Sequence, residues 1–144
     1  MFSNLSGTFR KSGTRRAEAG QSLVEVAMLM PVLVLILAGI LDLGRAYMTL
    51  VALNDAAAEG AAYAALHPTY TTQIVQRTAS SSSALVSLEP SMVSVAYAEP
   101  LTAGMPVTVT VMYPYRLLTP FISGIVPSGT LTLRASEVRS IIGN

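Results

Sequence analysis

The residues of this chain that could take part in chemistry lie where a basic segment meets a long apolar one. Four basic side chains precede Gly20, and Glu25 follows it by five residues, just before an uncharged stretch from Val26 to Leu41. A small residue can mark a cleavage site, but an ordinary secretory signal carries that site after its apolar run. Cleavage after Gly20 would instead keep the apolar segment in the mature protein, with Gln21 as its first residue.

The apolar segment is long enough to cross a membrane. It runs from Leu23 to Leu43, with acids only near its ends, Glu25 and Asp42. At about 1.5 Å per residue it forms about 31 Å of helix, which matches the hydrocarbon thickness of a bilayer. Pro31 lies inside this helix and removes one backbone hydrogen bond, which transmembrane helices tolerate.

Composition and charge agree with a single membrane span. The chain of 144 residues is 51% hydrophobic and 12% charged, too apolar for a typical soluble domain. Residues 1–20 hold four basic groups and one acid, whereas the remainder holds five arginines and seven acids. Because a basic excess beside a span stays in the cytoplasm, we expect an inner-membrane protein with its amino terminus inside and everything after Leu43 outside. The same basic terminus is not a nucleic-acid footprint.

Glu25 and three helix residues each admit two interpretations. A carboxylate at the membrane edge of an apolar helix is costly and indicates a function. After cleavage, Glu25 could pair with the new amino group that a neighbouring subunit carries at Gln21. The alternative is a first-turn glutamate that is stabilised by the helix dipole and reaches headgroup water. Pro31, Gly39 and Gly44 can make the helix flexible, but ordinary transmembrane proline and glycine explain them equally well.

We expect the helix to continue beyond the membrane and to end at His67–Pro68, because the residue before proline avoids the α region. Small and apolar residues recur at helical spacing and predict the buried face, whereas Arg45, Thr49, Asp55 and Glu59 fall on another face. Asp42 and Arg45, three apart, form a predicted interfacial ion pair. The predicted buried positions are Ala46/Tyr47, Leu50/Val51, Asn54, Ala57/Ala58, Ala61/Ala62 and Ala65.

The part after Pro68 has the pattern of a small α+β head. A short helix is predicted over Thr71–Ala79, and alternating apolar residues predict strands over 92–97, 107–113 and 130–134. The segment Pro114–Gly129 is predicted to be a long connection. A three-stranded antiparallel sheet needs a cover for its apolar face, and the outer part of the long helix is the candidate.

The sequence offers no arrangement typical of an enzyme, metal site or cofactor site. It has no cysteine and one histidine, His67, so a metal site is not expected even though Asp55 and Glu59 are one helical turn apart. The Ser80–Ser83 run lacks a Gly-x-Ser-x-Gly elbow and a histidine base, and is interpreted as a polar linker. No glycine-rich phosphate loop is present. We therefore expect no catalytic activity, no cofactor and no small-molecule substrate.

Several motifs together resemble a known family. They are Gly20–Glu25, Leu29–Pro31, Gly39–Arg45, Ala56–Ala61, the Val107–Tyr113 strand followed by Pro114, and the closing Leu131–Arg139 strand. A basic leader, a glycine, a glutamate five residues later and a long helix on a small sheet resemble the type IV pilins. The closer resemblance is to the TadE-like family of tight-adherence pilus pseudopilins. The chain departs from that family at Val26, where an aromatic residue is usual, and at Ala62, where an arginine is frequent.

The resemblance implies a pseudopilin or minor pilin that is cut after Gly20 by a prepilin peptidase. Three segments follow: a cleaved cytoplasmic leader over 1–20, a helix over 21–67 and an extracytoplasmic head over 68–144. Its implied partners are the membrane, the peptidase, and other pilins with their assembly platform. Three alternatives remain: an uncleaved membrane-anchored protein with a partner-binding head, a head secreted by cleavage near Gly39, and a membrane enzyme.

Overall fold

In the part of the chain that the structure describes, two helices precede a three-stranded sheet. The computed structural model describes residues 14–82, 86–119 and 129–142, with side chains from Gly20 onward. The elements are α1 (Thr14–Leu66), α2 (Thr71–Ser80), a 3₁₀ turn (Pro90–Met92), β1 (Val93–Tyr97), β2 (Pro106–Arg116) and β3 (Thr130–Ser140). The chain divides into two compact units, Met1–Ala38 and Gly39–Asn144. The predicted α+β fold class, a long amino-terminal helix followed by a small head with an antiparallel sheet, is confirmed.

The first unit contains the amino-terminal part of α1. We expected a disordered leader over residues 1–20, and this is wrong for residues 14–20, which are helical; residues 1–13 lie outside the described part. The helix continues without a break through Pro31. From Gly20 to Leu37 every side chain is exposed. The part of α1 from Gly20 to Leu66 is long and apolar enough to cross a membrane, judged by length and composition.

The second unit is built around the carboxyl-terminal half of α1. Small residues on one side of this helix are buried and allow close approach of the sheet and of α2. The buried helix residues are Ala52, Leu53, Ala56, Ala57, Gly60, Ala61, Ala64 and Ala65. They form one core with Ile74, Val93, Val107, Val109, Val111, Ala135 and Ile141. The core is therefore valine side chains of the sheet packed on an alanine-rich helix face.

The predicted buried face of α1 is confirmed at Ala57, Ala61 and Ala65 and wrong at several other positions. Tyr47 and Val51 were placed inside, but they are 69% and 41% exposed, and Asn54 is exposed too. Thr49 was placed outside and is buried, with its hydroxyl donating to the Arg45 carbonyl at 2.9 Å. Because alanine packs or faces solvent almost equally well, the alanine-rich stretch did not show which side of α1 is buried.

The sheet has the order β1-β2-β3 with antiparallel pairing throughout. The three predicted strands and the short helix are confirmed, and α1 ends at Leu66 as expected. β2 runs along α1 towards the amino-terminal end of that helix. Val109 lies near Gly60, and the Tyr115 hydroxyl further along β2 donates to the backbone carbonyl of Asp42. The carboxyl end of β2 and the start of β3 therefore lie at the level of Asp42, where the apolar segment ends.

The connection between β2 and β3 is shorter than predicted. β2 continues through Pro114 to Arg116 and β3 begins at Thr130, while residues 120–128 lie outside the described part. Proline is tolerated in a strand where no neighbour needs its missing N–H. Pro114 lies beyond Val111, the last β2 residue that β1 pairs with, so β2 has a neighbour on one side only at that point.

Candidate functional site

The residues of the proposed cleavage site lie together on the exposed helix of the first unit. Gln21 Nε2 donates to Glu25 Oε1 at 3.5 Å, the upper limit for a hydrogen bond, and both side chains are exposed. A Cβ added to Gly20 would meet no atom within 4 Å. A glycine inside a helix costs about 0.5–1 kcal/mol relative to alanine. The described part of the structure therefore gives no steric reason for a glycine at position 20.

Asp42, at the other end of the apolar segment, is the most extensively bonded side chain that the structure describes. It is only 4% exposed. Its Oδ2 accepts the Thr119 hydroxyl at 2.6 Å and the Thr119 backbone N–H at 2.7 Å. The Leu118 N–H points between its two oxygens, at 3.2 and 3.1 Å. A carboxylate that accepts several such donors forms short, charge-assisted hydrogen bonds. Asp42 thereby ties the segment after β2 to α1.

The predicted pair of Asp42 with Arg45 has the expected geometry but is not the principal contact of Asp42. Arg45 Nη1 lies 3.6 Å from Asp42 Oδ1, and the arginine side chain is 52% exposed, so the pair contributes little. The Arg45 guanidinium also lies 5.9 Å from the centre of the Tyr115 ring, and Tyr115 Oη donates to the Asp42 carbonyl at 3.2 Å. The role of Asp42 and Arg45 as an interfacial ion pair stays a prediction.

The sequence reasoning missed Thr119, Leu118 and Tyr115 as partners of Asp42. One signal was available: an acid that ends an apolar run must find donors if it is buried. The donors lie 76 and 77 residues further along the chain, so spacing alone does not reveal them.

The remaining predicted residues are dispersed along the helix. Pro31 is exposed in the first unit, Gly39 is half-buried, and Gly44 is exposed with nothing near its Cβ position. Glu59, considered with Asp55 as a cation site, instead pairs with Arg77 at 3.0 Å. No group of three or more His, Cys, Asp or Glu able to hold a metal ion occurs among the described residues.

The comparisons with known proteins point to one family. The family model described as TadE-like protein matches residues 20–62, which contain Gly20, Glu25, Pro31 and Asp42. No curated protein matches the chain, and no solved structure matches it. The match begins at Gly20 and ends within the helix that carries the head. Over this stretch the resemblance inferred from the motifs is confirmed: residues 20–62 are similar to the TadE-like family.

Proposed function

We propose that this chain is a pilus-associated pseudopilin without catalytic activity of its own. It is anchored in the inner membrane by α1, with its amino terminus inside and its head outside, and it assembles with other pilins on the assembly platform. The observation that carries the proposal is the TadE-like match over residues 20–62. The uninterrupted exposure of α1 from Gly20 to Leu37 supports it, because such an apolar surface needs lipid or partner helices around it.

The first step of this function is cleavage after Gly20 by a prepilin peptidase. Gly20 has open space around it in the helix, so nothing in the fold demands the absence of a side chain. A requirement for glycine at this position would therefore come from the peptidase, whose active site must take in the chain next to the cut bond.

Intact mass and amino-terminal sequencing of the protein from native membranes test the cleavage. We expect a start at Gln21 in the wild type and a full-length chain in Gly20→Leu. Ala27→Leu is the matched control, because it makes a similar change at an exposed position of the same helix and should be processed normally. A start at Met1 in the wild type would refute processing, and a start near Ile40 would indicate a secreted head.

The second step is recognition of the new amino terminus by Glu25. Residues 21 and 25 lie one turn apart on the same side of α1, as their side-chain hydrogen bond shows. A carboxylate carried into the membrane edge is costly unless it is paired. We propose that Glu25 pairs with the free amino group of Gln21 from a neighbouring subunit, which offsets both charges and fixes the register of the two helices.

Glu25→Ala tests this pairing. We expect normal insertion into the membrane, normal processing, and a loss of pilus assembly measured in sheared surface fractions. Asp55→Ala is the matched control, since Asp55 is an exposed acid on the same helix within the head unit. Normal pilus formation by Glu25→Ala, or an equal defect in both variants, would eliminate the proposed role of Glu25.

One observation favours the uncleaved alternative, a membrane-anchored protein with a partner-binding head. α1 begins at Thr14, so the bond after Gly20 lies inside a helix and not in an extended segment. Cleavage would require this first part of the helix to unwind. The glycine lowers the cost of doing so, and the amino-terminal sequence distinguishes the two functions.

A further inference from the structure

An apolar groove lies on the head unit where the apolar segment ends. It has a volume of about 610 Å³ and is lined by Ile40, Leu43, Gly44, Tyr47 and Leu50 of α1 and by Leu133 of β3. Leu43 and Tyr47 are more than two-thirds exposed, at 74% and 69%. The groove therefore combines an open apolar helix surface with one half-buried leucine from the sheet.

The position of the groove along α1 indicates its occupant. Two of its residues, Ile40 and Leu43, belong to the last turn of the apolar segment. Leu50 lies about 10 Å beyond Leu43 along the helix axis. The polar layer of a bilayer extends about 5–8 Å beyond the hydrocarbon on each side. If α1 spans the membrane as proposed above, the groove opens from the hydrocarbon edge into the headgroup layer.

We propose that this groove holds an acyl chain of a membrane phospholipid. The inference rests on the proposed membrane anchoring. It adds a lipid-binding function for the head, through which Leu133 and Tyr47 hold the head against the bilayer surface.

Tryptophan fluorescence tests the proposal, because the chain has no tryptophan of its own. The full-length protein is placed in phosphatidylcholine vesicles that contain a minor fraction of lipid brominated on its acyl chains. Leu133→Trp and Tyr47→Trp probe the groove, and Leu33→Trp reports insertion of the helix. Val138→Trp is the matched control, since Val138 is exposed on the opposite face of β3 and about 17 Å further along that strand.

We expect loss of emission and a blue shift for tryptophan at positions 133 and 47, as at position 33, and neither at position 138. Tyr47 is exposed, so Tyr47→Trp tests the groove even if Leu133→Trp does not fold, as judged by circular dichroism.

Three outcomes would overturn the proposal. Quenching at position 33 without quenching at 133 and 47 would show an inserted helix with a groove that holds no lipid. A blue shift at 133 that disappears on dilution with lipid, without quenching by bromine, would indicate a second copy of the chain in the groove. Absence of quenching at position 33 would refute the membrane anchoring itself, and the lipid groove with it.

Discussion

Gly60→Ala is expected to destabilise the head, although alanine is the better helix former. Gly60 is buried where α1 meets α2, and a Cβ at this position would collide with the Thr78 hydroxyl oxygen. The same Cβ would lie 3.1 Å from Thr78 Cβ and 3.3 Å from Val109 Cγ1. Thr78 is fully buried, and its hydroxyl donates to the Ile74 carbonyl at 2.8 Å, so its side chain cannot simply rotate away.

Two opposing effects set the size of the change. Replacing glycine by alanine inside a helix stabilises it by about 1 kcal/mol. Adding a methyl group to a filled contact costs about 1–3 kcal/mol, and here the obstacle includes the Cβ of Thr78, so α2 itself must move. We therefore expect a net loss of about 1 kcal/mol in the free energy of unfolding of the head, which is a large share of the stability of a small domain.

Urea unfolding of the full chain in a mild detergent, followed by the tyrosine circular dichroism of the head, measures this loss. Gly44→Ala is the matched control, because Gly44 lies in the same helix with nothing within 4 Å of its Cβ position. That variant should be stabilised by about 0.5–1 kcal/mol.

A double-mutant cycle with Thr78→Ala isolates the contact. Removing the Thr78 hydroxyl should restore part of the stability that Gly60→Ala loses, so the double variant should be more stable than the sum of the single changes by about 1 kcal/mol. If Gly60→Ala were as stabilising as Gly44→Ala, or the two changes at 60 and 78 were additive, the close approach of α1 and α2 would be refuted.

Two further predictions concern the contacts of Asp42. Asp42→Asn should increase amide hydrogen exchange at Leu118 and Thr119, because these N–H groups lose a charged acceptor; Asp55→Asn should leave their exchange unchanged, and unchanged exchange in both variants would contradict the tie to α1. Tyr115→Phe should lower the free energy of unfolding by about 1 kcal/mol, because the hydroxyl bond to the Asp42 carbonyl is lost. Tyr113→Phe, in the same strand and without a described side-chain hydrogen bond, should change it by less than about 0.5 kcal/mol.

Much of the architecture is local and was therefore readable from the sequence. Alternation of Val107, Val109 and Val111 with polar residues predicts a strand with one buried face, and the pairing confirms it. Proline after His67 ends a helix through its steric effect on the preceding residue, and α1 ends at Leu66. These patterns act within a few residues, so no knowledge of the rest of the fold is needed.

Predictions that depended on the direction of a face or on distant partners were less successful. The rotation of α1 about its own axis depends on which side of the helix packs best against the valines of the sheet. Alanines lie on several sides of the helix, so the sequence did not show which side is buried. Leu53 is the large side chain that is fully buried there, whereas the neighbouring Asn54 had been assigned to the core. The partners of Asp42 follow from the descent of β2 along α1, which no local pattern encodes.

The sequence by itself determined the length of the apolar helix, the order of glycine, glutamate and apolar run on which the resemblance to the TadE-like family rests, and the three strands. These follow from hydrophobic content, spacing and the backbone preferences of proline and β-branched residues. Only the tertiary structure decided that Asp42 bonds to Leu118 and Thr119, that Gly60 must lack a side chain because of Thr78, and that Leu133 completes an apolar groove on α1. Each of these joins residues far apart in the chain, and such contacts are selected by the packing of the whole head.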